Sequence, residues 1–186
     1  MAIKTFTTGE VLTASDTNTY LANSGLVFVK EQTIGNGVAT VTVTDAFSAT
    51  YDAYRIIVDD GVSSANTRLR IALGATTTGY YWGLIGGRYD NGGGVSVGGA
   101  NDALWDYVGM GSTTGLSAAI EIINPYLSKR TTFTSVFTDA STGGGNVAGP
   151  TSGMLNNSTS YTSFILSPAS GTLTGGTITV YGYRRG

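Results

Sequence analysis

The sequence predicts an all-β fold: a single antiparallel β-sandwich, jelly-roll-like in outline, preceded by a short N-terminal helical arm. Many short segments alternate apolar and hydroxyl residues, which is the pattern of half-buried strands. Glycine, with 28 of the 186 residues, recurs in clusters between these segments, where turns are expected. Helical signals occur only near the N-terminus. We therefore divide the chain into a docking arm, residues 1–25, and a β-sandwich domain, residues 26–186.

The helical signals of the arm lie in residues 13–25. Thr13 is followed three residues later by Asp16, which is the spacing of a capping box. Gly25 stands where a glycine commonly ends a helix. The spacing predicts a helix over residues 14–24. Because a helix this short is marginal in water without a partner, the arm either packs on its own domain or holds another chain.

The β-sandwich domain begins with two predicted strands, residues 26–32 and 38–44. The second alternates valine and threonine, as in Val41, Thr42 and Val43. The Gly-Asn-Gly stretch at residues 35–37 is a tight-turn signal, so the two strands are predicted to form a hairpin.

The remaining strands follow at spacings of roughly 10–15 residues and bring the total to about ten or eleven, which is typical of a sandwich or jelly roll. Nothing between them has the helical period that a parallel α/β sheet would require. The glycine-rich segment 86–99 is either a long loop or part of a glycine-loosened hairpin. The other predicted strands are 54–58, 68–73, 80–85, 104–108, 116–123, 131–138, 146–154, 161–166 and 176–183.

The composition excludes several classes of site. With neither histidine nor cysteine, the chain lacks the usual zinc ligands, a cysteine nucleophile, a Ser-His-Asp triad and any disulfide. A formal net charge of −2 argues against a nucleic-acid partner, which would require a basic face. No apolar run approaches the roughly 18–20 residues that span a bilayer, and residues 1–10 lack the apolar core of a signal peptide. We predict no cofactor, no metal site and no membrane insertion.

The carboxylates are the remaining candidates for acid–base chemistry. Asp90, Asp102 and Asp106 flank the glycine-rich region, and a glycoside hydrolase needs two carboxyl groups set across a sugar. No spacing in a β chain identifies such a pair, so we predict no catalytic residue. Asp90 also begins an Asp-Asn-Gly sequence that resembles the start of a calcium loop, but the other ligands are missing and a turn is favoured.

Aromatic residues supply the candidates for contact with a glycan or receptor, because their faces stack on sugar rings. Tyr81, Trp82 and Trp105 also fit two other roles, namely packing in the core and contact with a neighbouring subunit. The candidate contact residues are Tyr80, Tyr81, Trp82, Tyr89 and Trp105.

Three segments of the chain resemble a known group of proteins. Residues 6–21 read FTTGEVLTASDTNTYL, residues 47–58 have the core TYDAYRI at residues 50–56, and residues 176–184 read GTITVYGYR. Each is similar to a segment of tailed-bacteriophage virion appendage proteins, the tail-fibre and related surface proteins. Residues 80–155 carry no such resemblance. The resemblance implies a β-rich homotrimer and brings no catalytic residues with it.

The resemblance leads us to expect a non-enzymatic bacteriophage virion structural protein, a homotrimeric surface appendage of tail-fibre or receptor-binding type. A capsid decoration (cement) protein that stabilises the phage head is the alternative, and a polysaccharide-degrading tail enzyme is a third. Each would lie on the outer surface of the virion, on tail or head. The expected partners are other copies of the chain, other virion proteins held through the arm, and a host cell-surface glycan. The predicted docking residues of the arm are Leu12, Asp16, Tyr20 and Leu21.

Overall fold

The computed structural model describes residues 7–16, 25–139 and 146–184. Nearly all regular structure in these ranges is β, and the helix α1 is a short segment at Ala14–Asp16. The strands are β1 (Leu26–Thr33), β2 (Val41–Val43), β3 (Ala53–Ser63), β4 (Thr67–Leu73), β5 (Tyr80–Arg88), β6 (Gly94–Asp102), β7 (Trp105–Ser112), β8 (Gly115–Ile123), β9 (Thr131–Thr138), β10 (Val147–Leu155), β11 (Phe164–Pro168) and β12 (Leu173–Tyr183).

Two antiparallel sheets share strand β8. The large sheet has eight strands in the order β1-β12-β3-β8-β9-β10-β5-β6, and the small sheet has the order β2-β11-β4-β7-β8. Residues 115–117 of β8 pair with β7, whereas residues 120–123 pair with β9. A strand that passes from one sheet to another in this way forms a corner of a sandwich. The predicted all-β antiparallel sandwich is confirmed.

The main core lies between the two sheets and follows the period-two pattern of the sequence. In β3, β8 and β12 of the large sheet, alternate side chains such as Ile56, Ile120 and Ile178 are buried. Leu69 of β4 and Phe164 of β11, both in the small sheet, belong to the same buried cluster. Full burial of one such side chain contributes roughly 1.5–3 kcal/mol, so this cluster is the main source of stability in a chain without cysteine.

A smaller buried cluster lies beneath the β9-β10-β5 part of the large sheet. Its members are Leu84, Phe137 and Val147, one from each of these strands. Tyr107 and Met110 of β7 pack against it. This contact brings a part of β7 next to the end of β9.

The predicted hairpin between the first two strands is wrong. β1 pairs with β12 in the large sheet, and β2 pairs with β11 in the small sheet. The intervening residues run beside the start of β12, where Ile34 N donates to Gly176 O at 3.1 Å and Val38 N donates to Leu173 O at 2.9 Å. These bonds satisfy the backbone of the connection while it carries the chain from one sheet to the other.

The glycine-rich segment after β5 forms the hairpin rather than the long loop. β5 and β6 pair antiparallel, with Gly83 opposite Gly98 and Ile85 opposite Ser96. A register shift interrupts the pairing between Tyr80 and Trp82. Most of these glycines therefore lie within paired strands, where they leave one end of the large sheet with few side chains, while Gly92 and Gly93 lie in the turn between the strands.

The described part of the arm contains the predicted capping box. Thr13 N and Thr13 Oγ1 donate to Asp16 Oδ2 at 3.1 and 2.6 Å, and Asp16 N donates to Thr13 Oγ1 at 3.1 Å. Helical structure is thus present at Ala14–Asp16, while residues 17–24 of the predicted helix lie outside the described residues.

Candidate functional site

Two of the five aromatic candidates lie in the core and cannot reach a ligand at the surface. Tyr80 and Trp105 are both 0% exposed, so their expected role in glycan or receptor contact is corrected to a packing role. The Trp105 ring centre lies 5.3 Å from that of Tyr80 and 4.6 Å from that of Phe133. The sequence pattern does not reveal this because both faces of β7 are largely covered, so its burial does not alternate.

The other three aromatic candidates point in different directions. Tyr81 is half-buried on the side of the large sheet that faces away from the small sheet. Trp82 points the other way and donates from Nε1 to Asp102 Oδ2 at 2.8 Å. Tyr89 is 57% exposed, and its hydroxyl donates to the backbone oxygen of Asp139. The structure therefore does not bring the predicted aromatic residues together into one site.

The buried hydroxyl of Tyr80 makes the stability of the fold depend on pH in the alkaline range. Burial raises the pKa of Tyr80 from 10.0 to about 12, although Leu73 N donates to this hydroxyl at 2.7 Å and opposes the shift. An unfolded Tyr80 loses its proton near pH 10, whereas the folded residue keeps it up to about pH 12. The stabilising contribution is therefore fully present below pH 10 and is lost as the pH rises through 12.

We expect the free energy of unfolding to fall by up to about 1.4 kcal/mol per pH unit in this window because of Tyr80 alone. Urea unfolding of the wild type and of Tyr80→Phe at about pH 9 and about pH 11 gives the change in the free energy of unfolding with pH for each protein. The difference between these two changes isolates Tyr80 from the other tyrosines. The same change in both proteins would contradict the assignment.

The predicted docking residues of the arm are only partly within the described structure. Leu12 is exposed, and Asp16 is held by the capping box. Tyr20 and Leu21 lie outside the described residues. Docking through the arm therefore stays a prediction.

The three carboxylates considered for hydrolysis each have a polar partner. Asp90 accepts from Asn146 Nδ2 at 3.1 Å, and Asp102 accepts from Trp82. Asp106 pairs with Arg68. In residues 7–16, 25–139 and 146–184, no group of three or more Asp and Glu side chains is arranged to hold a metal ion.

The most extensive candidate surface is the side of the large sheet that faces away from the small sheet, here called the outer face. A continuous row of residues crosses all eight strands at this face. Its centre is an ion pair between Arg55 Nη1 and Glu121 Oε1 at 3.2 Å. The row consists of Phe28, Tyr181, Arg55, Glu121, Thr134, Ser152, Gly83 and Gly98.

An apolar row lies on each side of this central row. Two of the most exposed apolar side chains in the described structure belong to the first, Ile85 at 73% and Val136 at 68%. Their exposure is unusual, because a solvated sheet face normally presents polar residues. The first row contains Ile57, Ala119, Val136, Pro150 and Ile85, with Thr179 and Glu31 continuing it to the β1 edge and Ser96 to the β6 edge. The second contains Leu26, Tyr183, Ala53, Ile123, Thr132, Met154 and Tyr81.

The outer face carries two shallow depressions and little net charge. One, of about 330 Å³, lies over the Arg55–Glu121 pair beside Val136. The other, of about 610 Å³, lies over β9, β10 and β5 and includes Tyr81 and Met154. Partial burial, followed by the hydrogen bond and charge of Glu121, raises the pKa of the Tyr183 hydroxyl. Because Arg55 and Glu121 neutralise each other, the centre of the outer face carries no net charge.

A separate polar site is formed by a bulge in β7. Leu69 of β4 lies opposite Gly109, and Ile71 lies opposite Trp105, so the three residues 106–108 stand opposite the single residue Arg70. Such a bulge re-aims side chains that a regular strand would direct elsewhere.

The bulge holds Tyr107 and Asp106 in unusual positions. Tyr107 has a φ of 56°, a left-handed conformation that is unfavourable for a bulky residue. Asp106 is a buried residue whose side chain is only 11% exposed, and its carboxylate accepts from Tyr107 N at 2.8 Å and from Arg68 Nε at 2.7 Å. Burial by itself would lower the pKa of Arg68, but the hydrogen bond and charge of Asp106 outweigh it and raise that pKa.

The side chains around this bulge enclose a cleft of about 130 Å³, here called the bulge cleft. The guanidinium carbon of Arg68 lies 4.9 Å from the centre of the Tyr107 ring. Tyr107 in turn packs edge-on against Phe137 at 5.0 Å. The cleft is lined by Asn66, Thr67, Arg68, Tyr107, Phe137 and Asp139.

Sequence reasoning did not single out Val136, Arg68 or Tyr107. The position of Val136 could have been predicted, because successive strand residues point to opposite faces and its neighbour Phe137 shares the buried face with Phe133. No sequence pattern could have identified Arg68 and Tyr107, since they are 39 residues apart and the bulge that brings them together has no sequence pattern. Only the pairing of β4 with β7 places them side by side.

Comparison with protein-family models, with curated proteins and with solved structures finds no match to this chain. The all-β sandwich, the outer face and the bulge cleft are therefore interpreted from their own geometry. Within residues 7–16, 25–139 and 146–184, no helix has the length and apolar character needed to cross a bilayer.

Proposed function

We propose that this chain is a non-enzymatic structural subunit of a bacteriophage particle, and that three copies associate through their outer faces to form a surface appendage. The observation that supports self-association most directly is the pair of exposed apolar rows on the outer face. Exposed apolar patches of this extent on a folded domain commonly mark interaction sites.

The size of the outer face fits a stable protein interface. Eight strands spaced at about 4.8 Å give a width of roughly 34 Å, and three rows of side chains extend about 20 Å along the strands. The resulting area of about 700 Å² per copy, which a trimer divides between two neighbours, is close in total to the roughly 800 Å² that each partner buries in a standard two-body interface.

The charge of the outer face favours another copy over a charged partner. Arg55 and Glu121 neutralise each other at 3.2 Å, and the flanking rows are apolar or carry hydroxyl groups except at the β1 edge, where Glu31 is exposed. A nucleic acid or an anionic membrane would require unpaired basic residues. Three such faces, each turned toward a common three-fold axis, can instead cover their apolar rows on one another, because the central Arg55–Glu121 pairs are already neutralised.

The phage assignment rests on the resemblance of residues 6–21, 50–56 and 176–184 to virion appendage proteins. The last two lie in the large sheet, mostly within β3 and β12, which pair with each other. They include Arg55 and Tyr181, which are neighbours in the central row of the outer face. The segments that carry the resemblance therefore contribute to the surface proposed for assembly.

The substitution Val136→Glu tests the outer face. It places a charge in the first apolar row, so we expect at least ~100-fold weaker self-association. Because Val136 is 68% exposed, the change should leave the fold intact. Light scattering should give three times the chain mass of 19.1 kDa for the wild type and a single chain mass for the variant.

The matched control is Thr42→Glu, which adds the same charge at an exposed strand position of the small sheet. It should assemble like the wild type. A wild type that is monomeric at high micromolar concentration, or a Val136→Glu variant that remains trimeric, would contradict assembly through the outer face. A dimeric wild type would contradict the trimer but would remain consistent with assembly through the outer face.

The place of the protein on the particle requires a second experiment, gold-labelled antibody against the chain imaged on intact phage. Label on the tail is the result expected for an appendage of tail-fibre type. Label distributed over the head would instead indicate the alternative, a capsid decoration protein. Absence of label from purified particles would contradict a role on the virion surface.

A further inference from the structure

We propose that the bulge cleft binds a neutral polyhydroxylated ligand, with the ring of a single sugar residue as the fitting chemical class. This inference goes beyond the proposed assembly function and depends on different residues. It rests on the polar groups that converge there, on the way Asp106 orients Arg68, and on the charge of the cleft.

Arg68 is held in position before any ligand arrives. Its Nε–H is bonded to Asp106 Oδ2 at 2.7 Å, and its guanidinium carbon lies 4.9 Å from the centre of the Tyr107 ring. The side chain is nevertheless 42% exposed. A guanidinium fixed through Nε presents its two Nη groups as a planar pair of donors, which suits two adjacent oxygen atoms.

The cleft also offers an amide and an apolar wall. Asn66 can donate and accept through its amide. Tyr107 and Phe137 supply ring edges and faces. A sugar ring has this combination of properties, because each hydroxyl both donates and accepts while its C–H groups pack on aromatic carbon.

The charge of the cleft argues against an anionic ligand. The positive charge of Arg68 is matched by Asp106 at 2.7 Å. A phosphate or carboxylate would therefore find no unpaired positive charge among the residues that line the cleft. The volume of about 130 Å³ corresponds to roughly four water molecules, so the cleft accommodates part of one sugar ring rather than an oligosaccharide.

The backbone at the cleft supports a binding role over a purely structural one. Tyr107 adopts a φ of 56° although it is neither glycine nor asparagine. Strained conformations of this kind persist where surrounding contacts enforce them and cluster at binding sites. Here the enforcing contacts are the Asp106 hydrogen bonds at 2.8 and 2.7 Å.

The bulge cleft and the outer face lie on different sides of β9. Phe137 points inward to the cleft, whereas the adjacent Val136 points outward. Sugar binding and self-association can therefore be tested independently of each other. The binding experiment can be carried out both on the wild type and on Val136→Glu.

The test is titration of the full ¹⁵N-labelled chain with methyl α-D-glucopyranoside, methyl α-D-galactopyranoside and N-acetyl-D-glucosamine, followed by NMR. We expect at least one of them to shift the Nε–H resonance of Arg68 with a Kd of about 1–10 mM. The Nε–H of Arg55, an arginine also paired with a carboxylate but on the outer face, serves as the internal control and should not move.

The variant Asn66→Ala removes an exposed amide from the cleft and should weaken binding at least threefold without altering thermal stability. Three results would overturn the proposal: no shift of Arg68 with any sugar at about 50 mM, tighter binding of acetate or inorganic phosphate at the same resonance, or shifts confined to Tyr81 and Met154. The last result would place sugar binding on the outer face instead.

Discussion

Replacing Trp105 with alanine should destabilise the fold more than removing any other single side chain. The indole is 0% exposed and lies between the rings of Tyr80 and Phe133, at 5.3 and 4.6 Å between centres. Its loss leaves a cavity where the two sheets meet, for which we expect a cost of about 3–5 kcal/mol. For a domain of this size, the melting temperature should fall by roughly 6–20 °C in differential scanning calorimetry.

The variant Trp105→Phe provides the matched control. It keeps a ring against both neighbours and removes the indole N–H, which is buried without a hydrogen-bond partner. Because that N–H gains nothing in the fold, we expect Trp105→Phe to cost less than half as much as Trp105→Ala. Equal melting temperatures for wild type and Trp105→Ala would contradict the packing role and restore Trp105 as a candidate for surface contact.

The second large effect is expected for Gly176→Ala, which lies within the pairing between β12 and β3, between the pairs Gly175–Gly61 and Thr177–Asp59. Gly176 has a φ of +83°, and a Cβ atom there would lie 2.4 Å from Asp59 O and 2.6 Å from Gly61 N. Both neighbours are backbone atoms, so they can move only if the strands separate. We expect a loss of more than ~3 kcal/mol in urea unfolding, because backbone strain and overlap act together.

Alanine substitutions at two other glycines separate the cost of backbone strain from the cost of atomic overlap. Gly37 has a φ of +66° and open space around its Cβ position, so Gly37→Ala should cost about 1 kcal/mol from backbone strain alone. Gly115 has open space and no positive φ, so Gly115→Ala should change stability by less than ~0.5 kcal/mol. Similar losses at Gly176 and Gly37 would show that β3 and β12 do not approach as closely as described.

Much of the fold could be predicted because side-chain direction in a strand has a local period. In β9, Phe133 and Phe137 had to share one face, and the structure buries both. The same alternation in β4 buries Leu69, Ile71 and Leu73. Turn residues were equally local signals, and the antiparallel sandwich follows from their number and spacing.

Strand partners could not be predicted, because pairing depends on residues distant in the chain. Residues 26–32 and 38–44 look like a hairpin by their turn, yet β1 pairs with β12 from the other end of the domain. A local turn signal competes with the burial of whole sheet faces, and burial has the larger free energy. The neighbourhood of Arg55, Glu121 and Tyr181 on the outer face arises from the same distant pairings.

The same distinction between local pattern and distant pairing applies to the candidate sites. The sequence by itself determined the all-β class, the alternation that exposes Val136, and the absence of histidine and cysteine chemistry, since each depends on composition or on neighbours along the chain. The tertiary structure alone decided that Trp105 is core and that Arg68 meets Tyr107. Those outcomes depend on a bulge and on which strands lie side by side, and both are decided by packing between distant segments.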